Sequence, residues 1–468
     1  MTGAFVQELA WHTPHEAFRA FADEPFALFL DSATAAPGRD AALHGRWSFI
    51  AAEPTDSLTL RIADEPAPFA MLKARLAAWP PVTSRPDLPP FIGGAAGFFG
   101  YGLGRTLERL PPEAAPFATD DQNLPDMALG FYDAVLAFNM IERRAWLVST
   151  GISEGATRLR ARYEATEPLP HMPPLAPATI TSNFTRAAYE HAVAQVIDYI
   201  HAGDIFQANL SQRFEARLAE GDTPYALYLR LRAASPAPFG AFFNFGEGTI
   251  LSSSPERFLA CRAGKVETQP IKGTRPRGIS PDEDRRLAAE LLASEKDRAE
   301  NVMIVDLLRN DISRVCADSS VTVEKLCALE SFANVHHLVS TVRGRLRADA
   351  TPADLLAACF PGGSITGAPK LRAVEIIAEL EPTTRGPYCG AIGYLGADGA
   401  MDTAIAIRTM VVNDRRVTFQ AGGGIVADSD PATEYEETLA KARDMRRVLE
   451  GETGEASGAE MATAGSGA

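Results

Sequence analysis

Cysteine is scarce in this chain: five in 468 residues, at positions 261, 316, 327, 359 and 389. None form a C-x-x-C pair, and their spacing fits no zinc pattern. Five are too few for a disulfide framework, which points to a reducing compartment. Long apolar runs are also missing. The longest uncharged stretch, Leu88 to Gly104, contains Pro89, Pro90 and six glycines, a composition that excludes a membrane helix. Met1 to Glu16 lacks a basic segment followed by an apolar one, so no secretory signal is expected and the chain reads as cytoplasmic. Positive charge is in deficit: 45 basic against 60 acidic side chains, a net charge of −15. A long-range basic field for nucleic acid is therefore excluded. An anionic substrate would have to be held by local positive charge working against the global field. No fixed-period repeat and no G-x-x-x-x-G-K-[ST] phosphate loop occur.

What is present is an ordinary globular composition. Hydrophobic residues make up 46% and charged residues 22%, enough for a normal core, and disorder as the main state is excluded. At roughly 100–200 residues per domain the length allows two to four domains, or one large unit and a smaller one. A Pro-rich stretch, Glu167 to Pro177, cannot sustain a helix or a central strand. It reads equally as a linker or as a surface crossing. This gives an N-terminal region 1–166, a crossing 167–183 and a second region 184–450. The Gly/Ala/Ser/Thr/Glu tail 451–468 is expected to be disordered.

The pattern of elements predicts α+β. Short apolar runs at Phe26–Leu30, Trp47–Ala51, Leu58–Ile62 and Ala134–Phe138 read as strands. Ala241–Phe245 and Thr249–Ser252 flank a Gly-Glu-Gly turn, and Phe258–Arg262 with Lys265–Ile271 make a second hairpin. Gly390–Leu395, Asp402–Val412 and Arg416–Ala421 are further strands. Helices are expected over Ala70–Ala78 and Arg186–Ala202, after the Ser280 and Ser294 start signals, and from a Thr433–Glu436 cap to about Leu449. Strands joined by tight turns, with helices in separate blocks, mean antiparallel sheets.

Carboxylates at helical spacing stand out. Asp297 and Glu300 share a helix face, as do Glu434 and Glu437, with Lys441 one turn further on. Two such pairs can converge on one hard cation, and Mg2+ suits them because it takes few carboxylates and keeps waters. Solvated faces and first-turn acids explain the same spacing. Lys272, in Gln269–Arg277, stands before a glycine at the end of a strand. It would be a nucleophile only if burial or neighbouring cations depressed its pKa. Glu256 starts the paired strand and could face the same site as a general acid with a raised pKa. The loop Pro361–Lys370, with Thr366 and Gly367, precedes a helix and suits an anion. Gly423 and Gly424 allow close approach of a ligand to the backbone. Arg408 is a candidate carboxylate fork, and His337 a candidate base or ligand.

These motifs in this order resemble one family, the chorismate-utilising enzymes. The matching stretches are Gly203–Phe214, Ser254–Phe258, Pro270–Arg277, Arg298–Asn301 through Asp306–Asp311, His337–Ser340, Gly363–Lys370, Ile407–Thr409, Gly422–Ile425 and Glu434–Ala442. The resemblance spans Phe184 to Leu449. It implies two antiparallel sheets flanked by helices in one unit, with the Pro-rich segment crossing it. Within the family, alanine at the position of Lys272 marks the members that make anthranilate. Lysine marks those that aminate chorismate at C4, on the para-aminobenzoate branch of folate synthesis.

The resemblance also assigns roles. Lys272 attacks C2 of chorismate, Glu256 protonates the departing C4 hydroxyl, and ammonia then displaces the lysine. Glu300 and Glu437 are implied as Mg2+ ligands, with Asp297 and Glu434 in support. Arg408, Lys441, Gly423 and Gly424 are implied as carboxylate contacts, with His337 near the ring. No G-x-C-x-G glutaminase nucleophile is present, so ammonia is expected from a separate glutamine amidotransferase subunit. An amino-acid pocket is implied at Ser32, Arg46, Trp47, Ser48, Pro238, Phe239 and Gly240, the place of tryptophan in anthranilate-making members. The rival readings are an anthranilate-making enzyme and a non-catalytic subunit that binds chorismate or tryptophan.

Overall fold

The computed structural model describes residues 4–33, 45–79, 82, 88–108, 119–151, 153–169, 175–331 and 335–451. The expected disordered tail beyond 451 and the centre of the Pro-rich segment lie outside these residues. Two antiparallel sheets carry the fold. The larger runs in space β1 (Phe5–Leu9), β8 (Arg144–Ser149), β7 (Ala134–Asn139), β3 (Trp47–Ala51), β2 (Ala27–Asp31) and β11 (Phe239–Asn244). It continues β12 (Thr249–Ser254), β21 (Thr409–Asn413), β22 (Arg416–Ile425), β10 (Gln207–Arg217) and β18 (Gly367–Ala368), with β9 (Thr181–Ser182) also beside β10. The smaller runs β15 (Ile271–Pro276), β17 (Val335–Arg345), β14 (Lys265–Thr268), β13 (Arg257–Arg262) and β20 (Met401–Ile405). It ends β19 (Ala391–Gly396), β5 (Gly94–Phe99), β6 (Met127–Tyr132) and β4 (Asp56–Leu60), with β16 (Thr322–Ser331) also on β17. Strands from before and after the Pro-rich segment pair with one another in both sheets, as β2 does with β11 and β5 with β19.

The two sheets pack face to face over an aromatic core that includes Phe49, Phe91, Phe98, Phe243, Phe245 and Tyr394. Phe91 stacks on Tyr394 with ring centroids 4.4 Å apart. Offset stacks of this kind add to the area they bury. Helices cover the outer faces. Pro431–Leu449 lies on the larger sheet with its buried stripe Thr438, Ala442, Met445 and Leu449. Glu295–Ser313 covers the smaller with Val305 and Ile312.

Three local expectations change. The run Asp402–Val412 is not one strand. It breaks at Ala406–Arg408, and its halves join different sheets, β20 pairing with β13 and β21 with β12. Residues buried between two sheets are apolar on both sides of the break, so their pattern carries no mark of the crossing. Lys265–Ile271 is likewise interrupted at Gln269-Pro270, where proline cannot donate to the ladder. The segment beyond, β15, pairs with β17 and not with β13. The last helix starts earlier than the Thr433–Glu436 cap implied. Asp430 is its N-cap, its carboxylate accepting from the Thr433 N–H at 2.8 Å, with Pro431 at the first helical position.

Phe98 is 1% exposed and meets both Phe243 and Phe245 across the sheet interface. Phe98→Ala is expected to cost about 3–5 kcal/mol of stability, read as a lower urea midpoint with an unchanged slope.

Candidate active site

Five segments meet at one end of the sandwich. β15 brings Lys272. The β12–β13 turn brings Glu256. The loop Gly362–Gly367 lies over both, and the helices Glu295–Ser313 and Pro431–Leu449 supply acids and Lys441. β15 carries a bulge: Lys272 stands opposite Leu338 and Thr274 opposite His337, leaving Gly273 as the extra residue. Gly273 has φ +75°, a left-handed conformation that glycine adopts without strain. Next to it, the Thr274 hydroxyl is 2.9 Å from His337 Nδ1.

Ser364 ties the two candidate catalytic groups together. Its carbonyl accepts from Lys272 Nζ at 3.4 Å and from Asn209 Nδ2 at 3.0 Å. Its hydroxyl is hydrogen-bonded to the Glu256 carboxyl. Burial raises the Glu256 pKa to about 6, against the pull of Ser364, Lys272 and Lys441. Burial also lowers Lys272 from the usual lysine value, with Glu300 and Glu256 opposing. Desolvation always penalises the charged form, so one group moves up and the other down. His337 is brought down to about 4, chiefly by burial, and stays neutral at physiological pH.

The loop that carries Ser364 is pinned from behind. Arg385 and Glu381 form a buried pair, Nη2 to Oε1 at 2.7 Å. Arg385 also donates to the Ile365 carbonyl at 3.1 Å and the Asn209 carbonyl at 2.6 Å. Thr366 turns inward, its hydroxyl donating to the Gly362 carbonyl at 3.0 Å. Gly367 pairs with Ala208 in the β10–β18 bridge. Both therefore shape the loop.

On the opposite wall, Arg408 takes φ +52° at the crossing between the sheets, and its Nη1 donates to the Lys441 carbonyl at 2.5 Å. Lys441 Nζ bonds the Gly422 carbonyl at 2.8 Å and Glu437 Oε1 at 2.6 Å. Gly423 is needed for room: a Cβ there would stand 2.9 Å from Glu434 Oε2 and 3.4 Å from Glu437 Oε1. A Cβ on Gly424 would fall 2.1 Å from Gln207 Nε2. Gln207 is fully buried, and neither atom of its amide has a protein partner among the described residues.

The acids fit a hard cation in chemistry. Burial raises the pKa of Glu300 and of Glu434, and the neighbouring Glu437 adds to both. Desolvation pushes Glu437 up too, but Lys441 and Lys296 outweigh it and hold the carboxyl below the usual range. Mutually repelling carboxylates gathered from two helices are oxygen donors suited to Mg2+. Among the described residues, no three His, Cys, Asp or Glu side chains are drawn close enough to ligate one ion. Asp297 is turned to Arg275, whose Nη2 donates to Oδ2 at 3.3 Å.

The expected amino-acid pocket is a separate cavity of about 90 Å³ between the sheets, lined by Ser32, Arg46, Trp47, Pro238, Phe239 and Gly240 among others. Ser48 stands behind this wall, accepting from the Ser32 N–H at 2.9 Å. Asp31, held by Arg232 at 2.5 Å, also lines it, as do Arg257 and Asp402, paired at 3.0 Å. Sequence reasoning gave these three no role, nor Ser364, Gln207 and Asn209, although the last three lie inside motifs it had marked.

Comparison with known proteins follows the same lines. The chorismate binding enzyme family model matches residues 26–447. The chain belongs to this family. It is similar to aminodeoxychorismate synthase component 1 of Salmonella typhimurium, 44% identical over 440 residues, covering 91% of this chain and 93% of that protein. It is also similar to anthranilate synthase component 1 of Thermus thermophilus, 45% identical over 376 residues, covering 79% and 80%. Among solved structures, anthranilate synthase component I from Streptococcus pneumoniae TIGR4 superposes with a TM-score of 0.77 at 34% identity, covering 88% of this chain and 93% of that one. Family membership thus rests on the whole fold. Overall identity does not separate two family activities, and the decision falls to individual side chains.

The Glu256 shift gives a stability test. Its folded pKa of about 6 lies above the ordinary 4.5. The folded state therefore favours the protonated form, and a penalty builds as pH rises from 4.5 through 6. Glu256→Gln removes that penalty. The variant should gain about 2 kcal/mol at pH 8 and nothing at pH 4, measured by urea unfolding at both pH values.

Proposed function

We propose that this chain is the synthase component of an aminodeoxychorismate synthase, which converts chorismate and ammonia to 4-amino-4-deoxychorismate. The observation that carries this reading is Lys272, half-buried, with a lowered pKa, its Nζ donating to the carbonyl of Ser364, whose hydroxyl is bonded to Glu256. Anthranilate formation has no use for a lysine at this position in the family to which the chain belongs.

In this reading neutral Lys272 Nζ attacks C2 of chorismate. Both ring double bonds shift, one from C1–C2 to C1–C6 and the other from C5–C6 to C4–C5, and the C4 hydroxyl leaves as water with the proton of Glu256. Ammonia then attacks C4 and both double bonds shift back, releasing Lys272 as an amine. The Glu256 carboxylate takes up the proton that ammonia loses. Overall the C4 hydroxyl is exchanged for an amino group, an amino-transfer reaction. Arg408 and Lys441 supply fixed positive charge for the substrate carboxylates. The Gly423–Gly424 backbone and the Gln207 amide, which has no protein partner among the described residues, offer further hydrogen bonds.

Glu300, Glu437 and Glu434 would hold a Mg2+ ion, which when bound neutralises a substrate carboxylate. Asp297 pairs with Arg275. Ammonia would come from a glutamine amidotransferase subunit. No helix among the described residues is long and apolar enough to cross a membrane, which agrees with a cytoplasmic pathway. The second cavity, with its aromatic wall and paired charges, offers the chemistry that an amino acid such as tryptophan would need.

Product analysis tests the proposal. The purified chain, given chorismate, Mg2+ and an ammonium salt, should form amino-deoxychorismate and no anthranilate. Anthranilate alone would identify the rival activity, and no turnover at all would leave a binding subunit. Glu256→Gln should lower kcat by about 10²–10⁴-fold, the usual contribution of a general acid.

A further inference from the structure

β15, the strand that carries Lys272, ends its run of the sheet and has one strand neighbour, β17. Two helices, Pro281–Ala293 and Glu295–Ser313, pack against it and against β17. The bulge at Gly273 is pressed against them. A Cβ on Gly273 would stand 2.9 Å from Asp297 Cβ, 3.0 Å from Asp297 Cγ and 2.9 Å from Leu291 Cδ1. Leu291 is fully buried. Two residues on, Arg275 spans both helices: its Nε donates to Glu290 Oε1 at 3.0 Å and its Nη2 to Asp297 Oδ2 at 3.3 Å. Its Nη1 bonds the Thr274 carbonyl at 3.0 Å, stiffening the strand beside the bulge. Ser294 fixes the other end of the clamp by capping the helix on the Asp297 N–H at 3.3 Å.

We propose that Asp297 and Arg275 are positioning residues for Lys272: Asp297 props the Gly273 bulge that aims the lysine inward, and Arg275 locks that contact. This rests on the proposed use of Lys272 but assigns new work to two residues outside that chemistry. An edge strand held by one neighbour is free to twist away, and a nucleophile needs its backbone fixed to a fraction of an ångström. The clamp supplies that fixity. It also explains why Asp297 has an arginine partner while Glu300, one turn further along the same face, faces Lys272.

The test reads the surroundings of Lys272 directly. The full chain is labelled with acetic anhydride over a range of pH, and Lys272 is followed by peptide mass spectrometry in the wild type, Asp297→Asn, Arg275→Gln and the double variant. The groups facing Lys272 are Glu256, Glu300, Glu437 and Lys441, and His337 lies across Thr274; all remain in place. In the wild type the lysine should titrate below the ordinary range. Both single variants should move it up towards that range, and the double variant no further than either single one. Charge effects alone would move the two in opposite directions, since one variant loses an anion and the other a cation. Opposite shifts, or profiles that superpose on the wild type, overturn the proposal. Failure of the wild type to form amino-deoxychorismate would sink the proposed function without touching the labelling result.

Discussion

Burial of two opposite groups against one serine is the constraint on which the site depends. In water, a glutamate and a lysine at this spacing would settle as an ion pair, each charged and each useless for the proposed first step. Here desolvation works against both charges at once. It moves Glu256 up to about 6 and Lys272 below its ordinary value, so the neutral form of each is favoured over what it would be in water. Ser364 holds them through its two ends, hydroxyl to the acid and carbonyl to the amine. Anything that lets water into this corner would restore the ion pair.

The rest of the molecule can be understood as what keeps that corner dry and fixed. Two sheets share an aromatic core, and the chain crosses between them at Ala406–Arg408. The crossing turns Arg408 into the site with a left-handed backbone. Behind the Ser364 loop, the buried Arg385–Glu381 pair sacrifices two charges to hold backbone carbonyls. Such a pair is a poor source of net stability, and its hydrogen bonds to Ile365 and Asn209 give it a positional use. The net charge of −15 also takes a local meaning. Glu300, Glu434 and Glu437 are turned into the cleft, where Lys272, Lys441 and Arg408 stand among them, so the sign of the whole chain says little about the sign felt by a small anion.

Much of the site was legible because its residues sit in short motifs at strand ends and on helix faces. Lys272 and Glu256 could be paired from sequence, but on a partly mistaken ground. Their spacing puts them at the two ends of one hairpin, whereas Pro270 ends that hairpin and Lys272 belongs to the next strand. The crossing inside Asp402–Val412 was invisible because both halves are buried and equally apolar. Ser364, Asn209 and Gln207 were present in marked motifs, yet a neutral polar side chain gives no hint of its partners until the loop is placed. Asp297 illustrates the limit of spacing: it shares a helix face with Glu300, and only the approach of β15 and Arg275 shows that the two acids have different neighbours.

The central claim is that Lys272 is the nucleophile, and mass spectrometry of the intact chain tests it most directly. Chorismate and Mg2+ are added without ammonia, and the Lys272 peptide is examined after quenching. The account predicts a covalent adduct on Lys272, equal in mass to chorismate less one water, that disappears on addition of ammonium and is absent in Lys272→Ala. Formation of amino-deoxychorismate by the wild type with no adduct on Lys272 at any time, and an undiminished rate in Lys272→Ala, would contradict it.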